Sequence, residues 1–408
     1  MQKPLNIKFW LSLSILNLIV VALLGTLMRY KIGFEFPHFE QKFLQHGHSH
    51  FAFAAWITQT ILVLMVRFIQ EQSSVEISAN YRKILIANTL TAWGMLIAFV
   101  IQGYGAFSIG FSQASILISY TFAFLYLRDL KQINSSNPAL PWFRAALLFN
   151  IISSLGTYML AYMMVNHQIQ QKIYLGSVYF YLHFQYNGWF FFACAGILIA
   201  QLHKLNPEFN PGRSIFRLLA WSCIPAYLLS VLWLDLPLWL FALVVIAALS
   251  QTMGWAGLLR AIYRMIKTLK SDIPVQGRLL FVLLAISVSI KYMLQLASCV
   301  PSVSQLAFGF RPIVIAYLHL VLLAVFSLFL LLHTHVFLQR NSTLLNRSAL
   351  LLFVAGIFLN EMILAVQGIA SFSYTMIPFA NEALFAVALW MLTSAILIGV
   401  SMRRIQFK

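Results

Sequence analysis

The chain has 408 residues, of which 61% are hydrophobic and only 9% are charged, and its formal net charge is +17. Long apolar stretches at this density indicate a polytopic membrane protein and exclude a water-soluble globular domain. A positive charge of this size would suggest nucleic-acid binding in a soluble protein, but here the basic residues follow membrane topology, so no nucleic-acid partner is expected.

A hydropathy window of about 20 residues predicts an all-α bundle of twelve transmembrane helices joined by short loops. The bundle is expected to form one transmembrane domain over residues 1–408. The first apolar run lacks a small-residue cleavage site, so no cleavable signal peptide is expected, and no internal repeat is evident. The predicted limits are 9–28, 48–69, 84–104, 113–130, 143–165, 174–202, 215–234, 238–266, 278–296, 312–333, 349–368 and 381–402.

The distribution of lysine and arginine predicts the orientation of these helices. If the N-terminus is cytoplasmic, Lys291 falls within a span, and the outer side receives only Arg29, Lys31, Lys42, Lys172 and Arg311. All other basic residues fall on the cytoplasmic side, as the positive-inside rule requires. Both termini are therefore expected in the cytoplasm, in a multi-pass protein of a bacterial inner membrane whose basic face meets anionic lipid.

Three histidine segments interrupt the apolar pattern. His48 opens predicted helix 2, His183 lies within predicted helix 6, and His319 lies within predicted helix 10. All three helices enter from the outer side, so the three histidines are expected in the outer half of the bilayer. Ionisable groups at membrane depth are candidates for function. Neutral imidazole is a ligand for iron, copper and zinc.

Two of these segments have the features that a heme site needs. A heme between two helices requires one histidine from each helix and apolar walls around the ring. His48 is followed by Trp56 and other aromatic residues, and His319 is followed by Phe326 and aliphatic residues. Positions two apart on a helix do not face each other, so at most one of His48 and His50 can reach a given metal. Helices 2 and 10 therefore offer His48 and His319 as a candidate pair of heme ligands.

These segments resemble the heme-copper oxidase superfamily, and in particular its bacterial nitric oxide reductase branch. The resemblance lies in residues 48–53 (HSHFAF), 183–188 (HFQYNG) and 317–320 (YLHL), and in twelve spans with cytoplasmic ends. It implies that His48 and His319 ligate a low-spin heme and that His183 ligates copper or non-heme iron. The histidine-rich start of helix 2 also resembles, more weakly, the NnrS family of twelve-span heme proteins.

The chain departs from this family at the positions of a dinuclear centre. Tyr317 stands where the high-spin heme ligand is expected, and Asn187 stands where the reductases carry a glutamate. Residues 222–227 (SCIPAY) lack the adjacent histidine pair. We therefore expect a relative that keeps a bis-histidine heme and has lost normal oxygen or nitric oxide reduction. Tyr317 could still bind a high-spin heme as phenolate. Any enzymatic activity would be that of a heme-dependent oxidoreductase of the respiratory type.

Other ionisable residues are predicted at membrane depth or at the membrane surface. Lys291, Glu361 and Glu382 fall in the outer half, where they could pair, bind heme propionates or relay protons. Lys291 could instead snorkel to the outer surface. His333 and His335 end predicted helix 10 at the cytoplasmic face and are expected to be interfacial.

The histidines also have structural interpretations. His48 could cap helix 2 at the interface, and His183 could be a core histidine bonded to a backbone carbonyl or to Asn187. Three functions therefore stay open. The first is a heme protein that transfers electrons or handles a small gas, with a redox partner. The second is a proton-coupled secondary transporter lined by His183, Lys291, Glu361 and Glu382. The third is a non-catalytic subunit of a respiratory complex.

Overall fold

The computed structural model describes residues 5–72, 80–268, 275–338 and 344–406. These residues form helices and contain no β-strand. Within them, 11 helices are long and apolar enough to cross a membrane, or 12 if one bent pair counts as a single span. This confirms an all-helical, multi-pass membrane protein. The basic residues Lys3, Lys270, Arg340 and Lys408, which the predicted topology places in the cytoplasm, lie outside the described residues.

The helices are numbered here in chain order. They are α1 (Ile7–Gly33), α2 (Gln41–Gln72), α3 (Asn80–Gln102), α4 (Ala106–Leu130), α5 (Leu140–Val165), α6 (Gln171–Leu205), α7 (Arg213–Cys223), α8 (Leu238–Thr268), α9 (Val275–Ala297), α10 (Pro301–Gly309), α11 (Arg311–His319, continuing through Leu320–Ser327 into Leu328–Leu338), α12 (Leu344–Phe372) and α13 (Ala380–Gln406).

Helix α2 begins earlier than the hydropathy pattern predicts. It starts at Gln41, preceded by Glu40 in an extended conformation. His48 therefore lies inside the helix, and the expectation that it opens the helix is wrong. Residues 41–47 (QKFLQHG) are too polar for a hydropathy window to include. They still form helix because they contain good helix formers and bury Leu44.

The predicted span 215–234 is broken at Pro225. Helix α7 ends at Cys223, a 3₁₀ helix follows over Pro225–Val231, and the two are bent by 43°. Proline has no N–H to donate and clashes with the preceding turn, so the α-helical pattern stops there. The backbone carbonyl of Cys223 is then available to a side chain from another helix.

Packing divides the chain into two compact units. One comprises Met1–Gln132 with Ser327–Lys408, and the other comprises Ile133–Phe326. In the first unit, the Thr26 hydroxyl of α1 donates to the Ala388 carbonyl of α13 at 3.2 Å. Lipid tails are as apolar as leucine, so such interhelical bonds and close packing are what hold membrane helices together.

In the second unit, glycines allow close helix approach. A Cβ atom on Gly156 of α5 would lie 2.5 Å from the Ser177 carbonyl oxygen and 2.9 Å from the Tyr181 nitrogen, both on α6. Tyr227 of the 3₁₀ helix donates its hydroxyl to the Gly176 carbonyl of α6 at 3.0 Å. The α5–α6 contact therefore depends on the missing side chain at position 156.

Replacing Gly156 by alanine should lower the free energy of unfolding by about 1–3 kcal/mol, because the new methyl group would overlap rigid backbone of α6. Gly110 on α4 provides the matched control, since a Cβ atom added there would have no atom within 4 Å. Gly110→Ala should leave stability unchanged or raise it by up to about 1 kcal/mol through helix propensity. Thermal unfolding in detergent compares the two variants, and equal stabilities would contradict the close α5–α6 contact.

Candidate functional site

Three helices of the described chain contain π-helical segments, and each segment follows a histidine singled out from the sequence. The segments are Ala52–Thr58 in α2, Phe184–Phe190 in α6 and Leu320–Ser327 in α11. The last two begin directly after His183 and His319. π-Helical turns are rare and frequently occur at functional sites. Backbone geometry thus marks the same three places as the histidine pattern.

The three segments also share a sequence pattern, although no internal repeat is evident at the scale of the whole chain. Residues 50–56 read HFAFAAW and residues 183–189 read HFQYNGW, while residues 319–325 read HLVLLAV. The histidine and a small residue match in all three, and the phenylalanine and tryptophan match in two. This repeat becomes visible when the three histidine segments are aligned with one another. The alignment places His50, rather than His48, at the position of His183.

Buried amides from neighbouring helices satisfy the backbone of the π segment in α2. Asn17 of α1 donates to the Ala55 carbonyl at 2.8 Å, and Asn88 of α3 donates to the Ala54 carbonyl at 3.1 Å. Asn88 also donates to Oε1 of Gln59 at 2.7 Å. These three amide side chains are buried. A π segment departs from the regular helix ladder, and at membrane depth every backbone polar group needs a partner inside the protein.

His48 lies on the side of α2 that packs against α1. A Cβ atom on Gly25 of α1 would lie 3.4 Å from Cε1 of His48, so glycine provides room for the ring. Phe53 and Trp56, which follow in the π segment, are buried. The Trp56 indole donates to the Ser327 hydroxyl at 2.9 Å. Buried aromatic side chains therefore follow His48 along its helix, and apolar walls of this kind are what a heme site needs.

His183 is a fully buried histidine with both ring nitrogens engaged. Its Nε2 lies 2.8 Å from the Cys223 carbonyl oxygen, and its Nδ1 lies 3.1 Å from the Asn187 amide nitrogen. Because a carbonyl only accepts, Nε2 carries the proton and Nδ1 accepts from the amide. This confirms the structural interpretation. A copper or iron ion at His183 would have to displace one of these partners, so it stays a prediction without geometric support.

His319 is oriented by its own helix. Its Nδ1 lies 2.9 Å from the carbonyl oxygen of Ile315, one turn earlier. Because a carbonyl oxygen can only accept a hydrogen bond, Nδ1 of the neutral ring carries the proton and Nε2 bears the lone pair. Metal-ligating histidines characteristically donate their other N–H in this way, which fixes both tautomer and ring orientation. The ring of His319 is therefore held in one tautomer by its own helix.

Tyr317 and Tyr186 form an aromatic pair in the second unit. Their ring centroids are 6.3 Å apart with an interplanar angle of 71°, an edge-to-face arrangement. Such pairs contribute packing energy of their own. Coordination of a heme by the Tyr317 phenolate stays a prediction.

Lys291 is buried inside the protein. The side chain is 1% exposed, so the expectation that it snorkels to the surface is wrong. Its Nζ donates to Oε1 of Gln295 at 3.1 Å and lies 4.0 Å from the ring centroid of Tyr292. No carboxylate of the described residues forms an ion pair with it. The amine also interacts electrostatically with His183 and Cys223, which places it in the same polar region.

The two glutamates differ in their surroundings. Glu361 is half-buried in α12 and accepts from the Asn360 amide at 3.2 Å. Glu382 is exposed in the first turn of α13, where a carboxylate is favoured by the helix dipole.

His333 has a more ligand-like environment than its sequence position predicts. It is 8% exposed, whereas His335 is half-buried, and an interfacial position for the two histidines stays a prediction. Nδ1 of His333 lies 3.1 Å from the Phe329 carbonyl oxygen, and its Nε2 is buried without a hydrogen-bond partner. Hydropathy missed this because a helix-terminal histidine at a predicted membrane edge is usually solvated.

The predicted site residues are distributed over the two units. His48, Glu361 and Glu382 belong to the first unit, and the second contains His183, Asn187, Lys291, Tyr317 and His319. Within the second unit, His183 and Asn187 are in direct contact. Across the described ranges, no group of three or more histidine, cysteine, aspartate or glutamate residues is close enough together to hold a metal ion.

No protein-family model matches the chain, and no curated protein matches it. The resemblance to heme-copper oxidases therefore depends on the quoted motifs alone.

Replacing Asn88 by leucine should lower the free energy of unfolding by about 1–3 kcal/mol, because the Ala54 carbonyl and the Gln59 amide oxygen would lose a buried donor. Thr121→Val, on the exposed side of α4, is the control and should change stability by no more than about 0.5 kcal/mol. Thermal unfolding of both purified variants measures the difference. A fully stable Asn88→Leu protein would show that the amide does not support the π segment.

Proposed function

We propose that the chain is a b-type heme protein of a bacterial inner membrane, in which His48 and His319 would hold the heme iron. Its role would be electron transfer or the handling of a small gas such as nitric oxide or oxygen. Heme supplies one-electron redox chemistry and gas coordination when bound. A redox partner, or other respiratory subunits, would exchange electrons with it.

The state of His319 is the observation that most favours this function. A backbone bond from Nδ1 leaves the lone pair on Nε2 and holds the ring in one orientation. The bond also satisfies the N–H of a neutral imidazole on an apolar helix, as every histidine at membrane depth requires. Imidazole on an apolar helix suits iron better than it suits magnesium or calcium, which prefer oxygen ligands.

The environment of His48 is consistent with the same role. Gly25 of α1 leaves space beside its ring, and the π segment that follows is held by buried amides from two helices. Rigid support of this kind keeps a ligand within the small range of positions that coordination tolerates. The protein would thus contribute orientation and an apolar environment, while redox chemistry belongs to the cofactor.

The second unit favours a heme protein without a dinuclear centre. Both ring nitrogens of His183 are engaged by Cys223 and Asn187, and the Tyr317 ring packs against Tyr186. A second metal would require these contacts to rearrange. Single-electron transfer or reversible gas binding therefore agrees better with this geometry than multi-electron reduction does.

The optical spectrum of the purified protein tests the heme. We expect a low-spin b-type spectrum, and His48→Ala or His319→Ala should abolish it because each removes an axial ligand. The control is His167→Ala, which alters an exposed histidine between α5 and α6. Added imidazole should restore the band in His319→Gly, which separates loss of a ligand from loss of folding. An unchanged spectrum in both alanine variants would reject the assignment.

A proton-coupled secondary transporter is the second candidate, and the burial of Lys291 favours it. A buried amine without a carboxylate partner is costly, and intramembrane lysines commonly mark ion or proton pathways. Gln295 and Tyr292 lower this cost, and His183 lies within electrostatic range. A preparation without Soret absorbance would favour this function over the first.

Lys291→Met should raise the free energy of unfolding by about 1 kcal/mol or more, because a neutral side chain of similar length removes the cost of burying the amine. A residue kept for function at the expense of stability behaves in this way. Lys172→Met, at the exposed start of α6, is the matched control and should have little effect. Thermal unfolding measures both. Destabilisation by Lys291→Met would instead assign Lys291 a structural role.

A further inference from the structure

His46 and His50 form a pair on one face of α2. They stand at positions i and i+4, which are neighbours on a helix surface. The His50 ring stacks on Phe99 of α3 at a centroid distance of 4.3 Å, and the His46 ring meets Tyr104 at 4.6 Å. Tyr104 lies in the connection between α3 and α4, and its hydroxyl is 3.3 Å from Nε2 of His50. One tyrosine therefore contacts both imidazoles.

The donor atoms of this group suit a metal ion. Nε2 of His46 is buried and has no hydrogen-bond partner. A buried imidazole nitrogen in that state pays a desolvation cost that a coordinated cation would offset. Two imidazoles one helical turn apart can bind the same ion, as the paired histidines of helical zinc sites do. Neither histidine is needed for the heme ligation proposed above.

We propose that His46 and His50, with the phenol of Tyr104, bind a divalent transition-metal ion, and Cu²⁺ most tightly. Imidazole nitrogen is a ligand for copper, nickel and zinc, and the Irving–Williams order places Cu²⁺ first among them. No third histidine, cysteine, aspartate or glutamate of the described chain completes this pair. Tyr104 is therefore the third protein donor, and both histidines are half-buried, which leaves room for a water or small anion.

Charge also favours copper over magnesium or calcium. Lys42 stands one turn before His46 on the same helix, so a cation that binds at the pair meets a neighbouring positive charge. An ion that binds here must form strong bonds to neutral nitrogen, which hard cations with oxygen preferences do not. Coordination of the Tyr104 oxygen as phenolate would add a negative charge beside the metal.

This site uses a different face of α2 from the proposed heme ligand. His48 lies between the two histidines in sequence, but its ring is beside Gly25 of α1. His46 and His50 contact Phe99 and Tyr104 instead. Because side chains two positions apart do not face each other, copper binding and heme binding can be measured separately.

Titration of the chelator-treated, full-length protein with Cu²⁺ in detergent tests the site. We expect one tight equivalent with nitrogen hyperfine splitting in its electron paramagnetic resonance spectrum. His46→Asn and His50→Asn should each weaken binding at least about tenfold, since each removes one of three protein donors. Tyr104→Phe should remove any phenolate-to-copper absorption band. His167→Ala, at an exposed histidine, should bind as the unaltered protein does.

His46→Asn is the deciding variant, because it leaves the stacking of His50 on Phe99 intact. Its thermal unfolding temperature without metal establishes that it is folded. Copper affinity equal to that of the unaltered protein would overturn the proposal, as would a spectrum without nitrogen coupling. The Soret band of the same samples reports independently on heme, so the two assignments can fail separately.

Discussion

Every backbone N–H and C=O inside a bilayer must find a hydrogen-bond partner within the protein, and this constraint accounts for many of the polar residues of the chain. α-Helices meet it with their own backbone bonds, whereas the irregular backbone at a π segment or a proline break also bonds to side chains. Asn17 and Asn88 supply donors to the π segment of α2, and His183 supplies one to the carbonyl of Cys223 beside the break at Pro225. Several polar side chains inside the membrane-spanning helices therefore serve as hydrogen-bond donors to backbone carbonyls.

The three histidine segments have a similar local structure but different contacts at the histidine ring. Each lies before a π segment, yet the ring contacts differ. His183 donates through Nε2 to the Cys223 carbonyl of α7 and accepts through Nδ1 from Asn187 of its own helix, whereas Nδ1 of His319 donates to a carbonyl of its own helix. Equivalent positions in a repeat therefore do not imply equivalent contacts, because a neighbouring helix supplies an acceptor to His183.

Lys291 illustrates the cost of keeping a charge at membrane depth. An amide oxygen and an aromatic ring replace part of its hydration, but they cannot equal a carboxylate. An uncharged side chain of the same length would not carry this desolvation cost. A buried amine under these conditions is more readily explained by proton or electron chemistry nearby than by stability.

The sequence by itself determined the membrane class, the approximate number and limits of the spans, and the three histidine segments. Bilayer thickness sets the length of an apolar run, so hydropathy is sufficient for these. The contact between His183 and Asn187 was also within reach, since the two stand one helical turn apart. The start of α2, the burial of Lys291 and His333, and the pairing of His46 with His50 beside Tyr104 were decided only by the tertiary structure. Each depends on which side chains a neighbouring helix or loop presents, and a pattern along one helix does not contain that information.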